Sequence, residues 1–262
     1  METVRKYGSV PFSIAVIHGG PGAGGEMAPI ARELSLDWGI LEPIQTASSI
    51  EGQIEELKQG LVKYAKLPVT LIGFSWGAWL SIMFATDYPG FVKKLILVGC
   101  GPFEEKYANK VRETRLNRLS TKQRNEYFSI ITMLNDNHDS RKDTALKHLE
   151  KLTKQTDAFS PLIEDSEQSD SILFNGSIHQ TVWSQAAQLR KSGDLLKRVK
   201  QVKCPTVAVH GDYDPHPAEG VEKPLSRLLQ DFRFYLLKKC GHEPWREQYA
   251  KAAFFALLRN EL

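Results

Sequence analysis

The sequence predicts an α/β protein, with a mostly parallel sheet, helices on both faces and one helical interruption. Three observations predict it. Over residues 1–102, short and near-continuously apolar runs alternate with amphipathic segments, the pattern of parallel strands covered on both faces. From about residue 103 to 200 the chain turns rich in Lys, Arg, Asn, Gln, Asp and Ser and carries no convincing strand. Over residues 201–262 the alternation returns. The 262 residues thus divide into a first core part (1–102), a helical cap (103–200) and a second core part (201–262), a size that suits one large domain with an insert.

The elements follow in order. SIAVIHG reads as a strand, and MAPIARELSLDWG as a helix ending at a glycine. GILEPIQ is a short strand. SIEGQIEELKQGLVKYAK places Ile50, Ile54, Leu57, Leu61, Val62 and Tyr64 at helical spacing, with acids early, lysines late and Ser49 or Ser48 as cap. PVTLIGF is a strand, GAWLSIMFATDYP a buried helix and VKKLILVGCG another strand. The middle segment gives helices with thin apolar faces. CPTVAVHG and FRFYLLKKCG are the returning strands, AEGVEKPLSRLLQ and EPWREQYAKAAFFALLRNEL the helices between and after them.

Composition narrows the function. Thirty-four basic and 31 acidic residues leave a net charge of +3 with no dense basic tract, which argues against a nucleic-acid partner. The apolar runs are too short to span a bilayer, and the N-terminal stretch lacks a signal-peptide layout. A cytoplasmic protein with no membrane partner is expected. Cys100, Cys204 and Cys240 are few and widely spaced, so reduced thiols are expected and no zinc site.

Three stretches carry chemistry. GFSWG, residues 73–77, is G-x-S-x-G at a strand end and a helix start, the context of a nucleophile elbow. Ser75 is the expected nucleophile, and glycines two before and two after it relieve crowding in the turn. A serine needs a base. HGDYDPHP, residues 210–217, offers Asp212 and Asp214 after one strand, and KKCGHEPW offers His242 after the next. The order Ser, acid, His is that of the elbow fold, with each residue just past a strand end. Asp214, farther into its loop, is preferred as the acid, with Asp212 bonding the turn backbone. His210 and His216 are weaker base candidates. A metal site of His210, Asp212, Asp214 and His216 would leave Ser75 and His242 unexplained, so no metal or organic cofactor is expected.

HGGPGAGG, residues 18–25, admits three readings: a phosphate loop, a tight turn or half of an oxyanion hole. No GK[ST] follows, and G-x-G-x-x-G fits only loosely. The N–H groups of Gly20 and Trp76 are therefore the expected oxyanion donors, with His18 buttressing the loop. Trp76, Trp79, Phe103, Phe174 and Trp183 are expected to line an apolar pocket, Trp79 equally suiting the core.

With HGGPG, GFSWG, HGDYD and GHEPW in this order, nearly the whole chain resembles the α/β-hydrolase superfamily. HGGPG together with S-W-G resembles its proline iminopeptidase branch. That resemblance implies cleavage of an N-terminal residue from a short peptide, with Ser75, Asp214 and His242 as the triad and Gly20 and Trp76 as the oxyanion hole. It also implies cap acids that hold a free amine, for which IEDSEQSD offers Glu164, Asp165, Glu167 and Asp170; a solvated acidic loop is the alternative. Other outcomes of the same motifs are a carboxylesterase or thioesterase acting on a small acyl substrate, a lyase or transferase, or a ligand-binding protein on this scaffold. A small-molecule or short-peptide substrate is the expected partner, and oligomeric state is not readable.

Overall fold

The computed structural model describes residues 3–135, 142–162 and 173–262. The strands are β1 (Val4–Tyr7), β2 (Phe12–Ile17), β3 (Ala23–Gly24), β4 (Gly39–Pro43), β5 (Val69–Phe74), β6 (Val92–Val98), β7 (Leu173–Phe174), β8 (Thr206–Gly211) and β9 (Phe232–Leu237). The helices are α1 (Ala28–Leu34), α2 (Ile50–Tyr64), α3 (Trp76–Asp87), α4 (Glu105–Arg118), α5 (Thr121–Asn135), α6 (Lys142–Asp157), α7 (Gly176–Ser192), α8 (Asp194–Val199), α9 (Glu219–Leu228) and α10 (Lys251–Glu261).

Seven strands form one sheet in the order β1-β4-β2-β5-β6-β8-β9. All its pairings are parallel except β1 with β4. The centre is fully buried: β5 and β8 show no exposed position, as crossover connections on both faces require. β1 is the one strand of this sheet that the sequence reading left unassigned. Its VRKY has no apolar run because it is an antiparallel edge strand, with Arg5 paired to Glu42 of β4 and half in solvent.

One face of the sheet packs on α2 and α3 through residues such as Leu57, Leu80 and Phe84. The other packs on α1 and α10 through Ile30, Leu34, Phe254 and Leu258. Ser49 caps α2, its Oγ accepting the Gly52 N–H at 3.1 Å. α3 is apolar all round, with ten buried residues, because it lies beneath the inserted segment as well as on the sheet.

The segment between β6 and β8 leaves and re-enters the sheet at neighbouring strands. Its parts differ. α7 and α8 bury Val182, Ala186, Leu195 and Val199 in the main core. Leu119, Ile130, Ala145 and Leu152, along α4 to α6, form a small cluster of their own. A two-stranded sheet, β3 with β7, ties the segment to the glycine-rich loop; two-residue strands carry no periodic pattern to read. Among the described residues, no helix is long and apolar enough to cross a membrane.

Candidate active site

Ser75 sits between β5 and α3 at φ 50°, ψ −111°. A non-glycine residue pays for positive φ, and such strain persists only where its surroundings over-determine it. Here the Ser75 N–H donates to the Val98 carbonyl at 2.9 Å, which continues the sheet through the turn. The flanking glycines are sterically obligatory: a Cβ on Gly73 would strike the Gly77 carbonyl, and one on Gly77 the carbonyls of Ile17 and His18. The turn thus packs backbone on backbone, and Ser75 emerges on a cavity of about 570 Å³ that His242 also lines.

Asp214 is fully enclosed in the loop after β8. Its Oδ2 lies 2.7 Å from His242 Nδ1, and its Oδ1 lies 2.7 Å from His216 Nδ1 while accepting the His216 backbone N–H at 2.9 Å. His210 Nε2 adds a longer contact at 3.6 Å and donates to the His216 carbonyl at 2.7 Å. Burial would raise the Asp214 pKa, but the His242, His216 and His210 rings hold it well below the usual carboxylate range. An ionised carboxylate only accepts, so both Nδ1 atoms carry protons, and the Nε2 atoms of neutral His216 and His242 keep their lone pairs. Burial works to lower the His242 pKa, and Asp214 more than offsets it, leaving it raised. His216, buried and beside His242, is lowered to about 4. Asp214, His216 and His242 also present three donor atoms within 4.8 Å. Their 2.7 Å separations are hydrogen bonds, so these atoms are engaged with one another rather than preformed around an ion.

Asp212 lies outside this cluster. Its Oδ1 accepts the Cys240 N–H at 3.3 Å, so it braces the turn backbone.

The glycine-rich loop faces the same cavity. Gly20 lines it, and a Cβ there would meet only ordinary contacts, the nearest at 3.6 Å. Packing against Ala23 and His179 therefore does not demand glycine at 20. His18, beneath the loop, is fully buried. Its Nδ1–H donates to the Gly20 carbonyl at 3.2 Å and its Nε2 accepts the Gln45 N–H at 3.3 Å. Protonation would turn that acceptor against a donor, and burial lowers its pKa to about 4. The Trp76 N–H is one of the orphan donors at the α3 N-terminus, while its indole is held by Gln53 Oε1 at 3.1 Å.

The aromatic residues divide. Trp76, Trp79 and Trp183 line a second cavity of about 260 Å³ that also opens on Ser75, and Trp183 lines both. Phe103 lines neither: it is fully buried 6.2 Å from the Trp79 ring, so the expectation of a pocket role is corrected to a core role. Its burial follows from the chain turning down onto α9 there, the Phe103 N–H donating to the Gly220 carbonyl. Phe174 is described only as a strand residue paired with Ala23. Glu164, Asp165, Glu167 and Asp170 lie outside the described residues.

Other acids line the main cavity. Glu26, just past the glycine run, accepts the Gly19 N–H at 2.9 Å, and Glu243 follows His242. Burial, and then the Glu243 charge, push Glu26 up to about 7. The sequence reading passed over both, because one looks like the polar start of α1 and the other like the neighbour of a histidine. Asp157 was also missed: Arg115 grips it at 2.9 and 2.6 Å, while its carbonyl accepts the His242 N–H at 2.8 Å.

Comparison with known proteins accords with this geometry. The serine aminopeptidase, S33, family matches residues 51–249. Proline iminopeptidase PfmaB of Pestalotiopsis fici is 26% identical over 187 residues, covering 66% of this chain and 60% of that protein. Pyrrolizixenacetamide deacetylase of Xenorhabdus hominickii is 23% identical over 244 residues, covering 87% of this chain and 82% of that one. The crystal structure of VinJ shares the fold at a TM-score of 0.71 and 15% identity, covering 98% and 93% of the two chains.

Proposed function

Since the chain belongs to the serine aminopeptidase S33 family of α/β-hydrolases, we propose that it hydrolyses an amide or ester by way of an acyl-enzyme on Ser75. The observation that carries the reading is the Asp214–His242 contact of 2.7 Å beside a strained Ser75 on one shared cavity. In this mechanism His242 Nε2 takes the Ser75 proton as Oγ attacks the carbonyl carbon. Asp214 holds the Nδ1–H tautomer and stabilises the imidazolium. The Gly20 and Trp76 N–H groups receive the oxyanion. His242 then protonates the leaving group, and water attacks the acyl-enzyme with the same base.

The aminopeptidase form of this reading is favoured by Glu26 and Glu243. Glu243 pairs with Arg246 at 2.9 Å and Lys154 faces both acids, yet Glu26 stays raised to about 7; a further cation would relieve it, and the free ammonium of an aminoacyl substrate supplies one. In this reading, core acids next to the glycine loop and His242 take the role that the resemblance implied for the cap. The test is a paired kinetic screen of aminoacyl arylamides, prolyl included, against acyl esters of increasing length, with Ser75→Ala as the blank. Ser75-dependent amide turnover that needs a free amine is the expected result. Ester turnover with no amide turnover overturns the peptidase form and leaves an esterase. Equal rates in wild type and Ser75→Ala overturn the nucleophile.

A further inference from the structure

Two cavities meet at Ser75 and differ in their charged linings. The larger mixes both signs: Glu26, Glu150, Asp157, Glu243 and Glu247 line it with Arg115, Lys154 and Arg246, and of these acids Glu26 has no cation paired with it among the described residues. The smaller is lined by Arg112, Arg115 and Arg190 with Trp79, Trp183 and Tyr127, and by no carboxylate among its described residues. Ser75 and His216 line both, so one substrate attached at Ser75 reaches each.

The arginines retain donors for a ligand. Arg115 spends its Nε and Nη2 on Asp157, and Arg190 spends its Nε on Glu105 at 3.0 Å. A guanidinium has five N–H donors in a planar fork, so each keeps several. Arg112 has no carboxylate partner among the described residues, and it belongs to α4. The Trp79 and Trp183 rings lie nearly parallel, 5.9 Å apart, and the Arg190 guanidinium lies 5.7 Å from the Trp79 ring centre. A small chamber lined by flat aromatic rings and three guanidinium groups fits a planar anion, and the carboxylate is the anion that such forks bind in pairs.

We infer that the smaller chamber is a subsite for a carboxylate carried by the substrate, held by Arg112 with Arg115 and Arg190. Resting on the hydrolase reading of Ser75, this names the substrate class: a short zwitterion, such as a dipeptide. Its ammonium lies among the acids of the larger chamber, its scissile carbonyl at Ser75 and its carboxylate among the arginines. The 260 Å³ of the second chamber suits a group of single-residue size rather than a longer peptide.

The test uses matched substrates that differ only in this charge: an aminoacyl-glycine against its glycinamide, and an acetyl ester of hydroxyacetic acid against that of hydroxyacetamide. The readout is the ratio of kcat/KM, carboxylate over carboxamide, which cancels general losses of activity. We expect a wild-type ratio of about ten or more at low salt, the scale of one charge-assisted contact, shrinking as salt is added. Arg112→Gln should lower the ratio about tenfold, mainly through KM, and Arg112→Lys should retain part of it. A wild-type ratio of one or less in both series, or a ratio that neither Arg112→Gln nor Arg190→Gln moves, overturns the subsite. The ester pair keeps the inference testable without peptidase activity. A fluorophosphonate that fails to label Ser75 overturns the underlying hydrolase reading instead.

Discussion

Along β5 every residue is buried, whereas along α4 only Tyr107 and Val111 of fourteen are. The same contrast holds for the chemistry each region presents. The sheet edge holds Ser75 and Asp214 through backbone hydrogen bonds and glycine contacts that tolerate no added atom, while the His242 N–H bonds the Asp157 carbonyl at the end of α6. The inserted segment presents Arg112, Arg115, Glu150 and Trp183 on helices with thin apolar faces. Groups whose geometry sets a rate belong on packed backbone, and groups that select a substrate can sit on helices that repack cheaply.

The largest test of this division is Asp214→Asn. It leaves the fold's volume unchanged and removes the charge that fixes His242. A loss of about 10³–10⁴ in kcat is expected, with esters as substrate. The pH profile adds a second readout. His242 must be neutral to act as base, and its pKa is raised above the ordinary 6.5 by Asp214. Wild-type activity should fall as pH drops through a value above 6.5, and the variant's residual activity should carry that limb to lower pH. An unmoved limb would detach His242 from the reaction.

Next in size is Gly77→Ala, where the new methyl group meets two carbonyls at the end of β2. Backbone cannot yield as a side chain can, so a cost of about 3 kcal/mol or more is expected from urea unfolding. An alanine tolerated without loss would show the elbow to be looser than its packing implies.

Leu152→Ala probes the other side of the comparison. Leu152 is buried, in a cluster of four buried residues among those described. A cost near the low end for such truncations, about 2 kcal/mol, is expected. Hydrogen-exchange protection should fall along α4 to α6 and hold in β5 and β6. Loss of protection throughout the sheet would show the two regions to unfold as one.

The smallest effect concerns His18. Its folded pKa of about 4 lies below the ordinary 6.5, so the unfolded chain binds more protons in between. The stabilisation is complete above pH 6.5 and is lost as pH falls towards 4. Roughly 1.5 kcal/mol should disappear between pH 6.5 and 5, and His18→Gln should flatten that part of the stability profile by as much.

The strands and helices of the core were legible because burial on both faces leaves near-continuous apolar runs such as VTLIGF and TVAVHG. The positions of Ser75, Asp214 and His242 were legible because an elbow and two strand ends place them by chain order. What escaped reading depends on approach through space. β1 hides its role behind charged residues on an edge. Phe103 looks like any exposed-loop aromatic until α9 covers it. Glu26, Glu243 and Asp157 come together from three distant stretches and share no local pattern. His216 lies two residues from Asp214, yet its bond to the second carboxylate oxygen depends on how the loop closes.

Two of the seams that fasten the inserted segment to the core lie beside the active-site loops. The β3–β7 pairing joins it to the glycine-rich loop, and the Asn175 N–H donates to the Gly22 carbonyl at 3.0 Å. At the other, the enclosed Glu247 carboxylate accepts the N–H groups of Phe159, Ser160 and Gly241 at 2.7, 2.7 and 2.8 Å. One seam borders Gly20 and the other borders His242. A segment transplanted here from a relative would therefore have to bring matching stitches along with its pocket, since a graft that kept only the pocket would unfasten the very loops that share the cavity with Ser75.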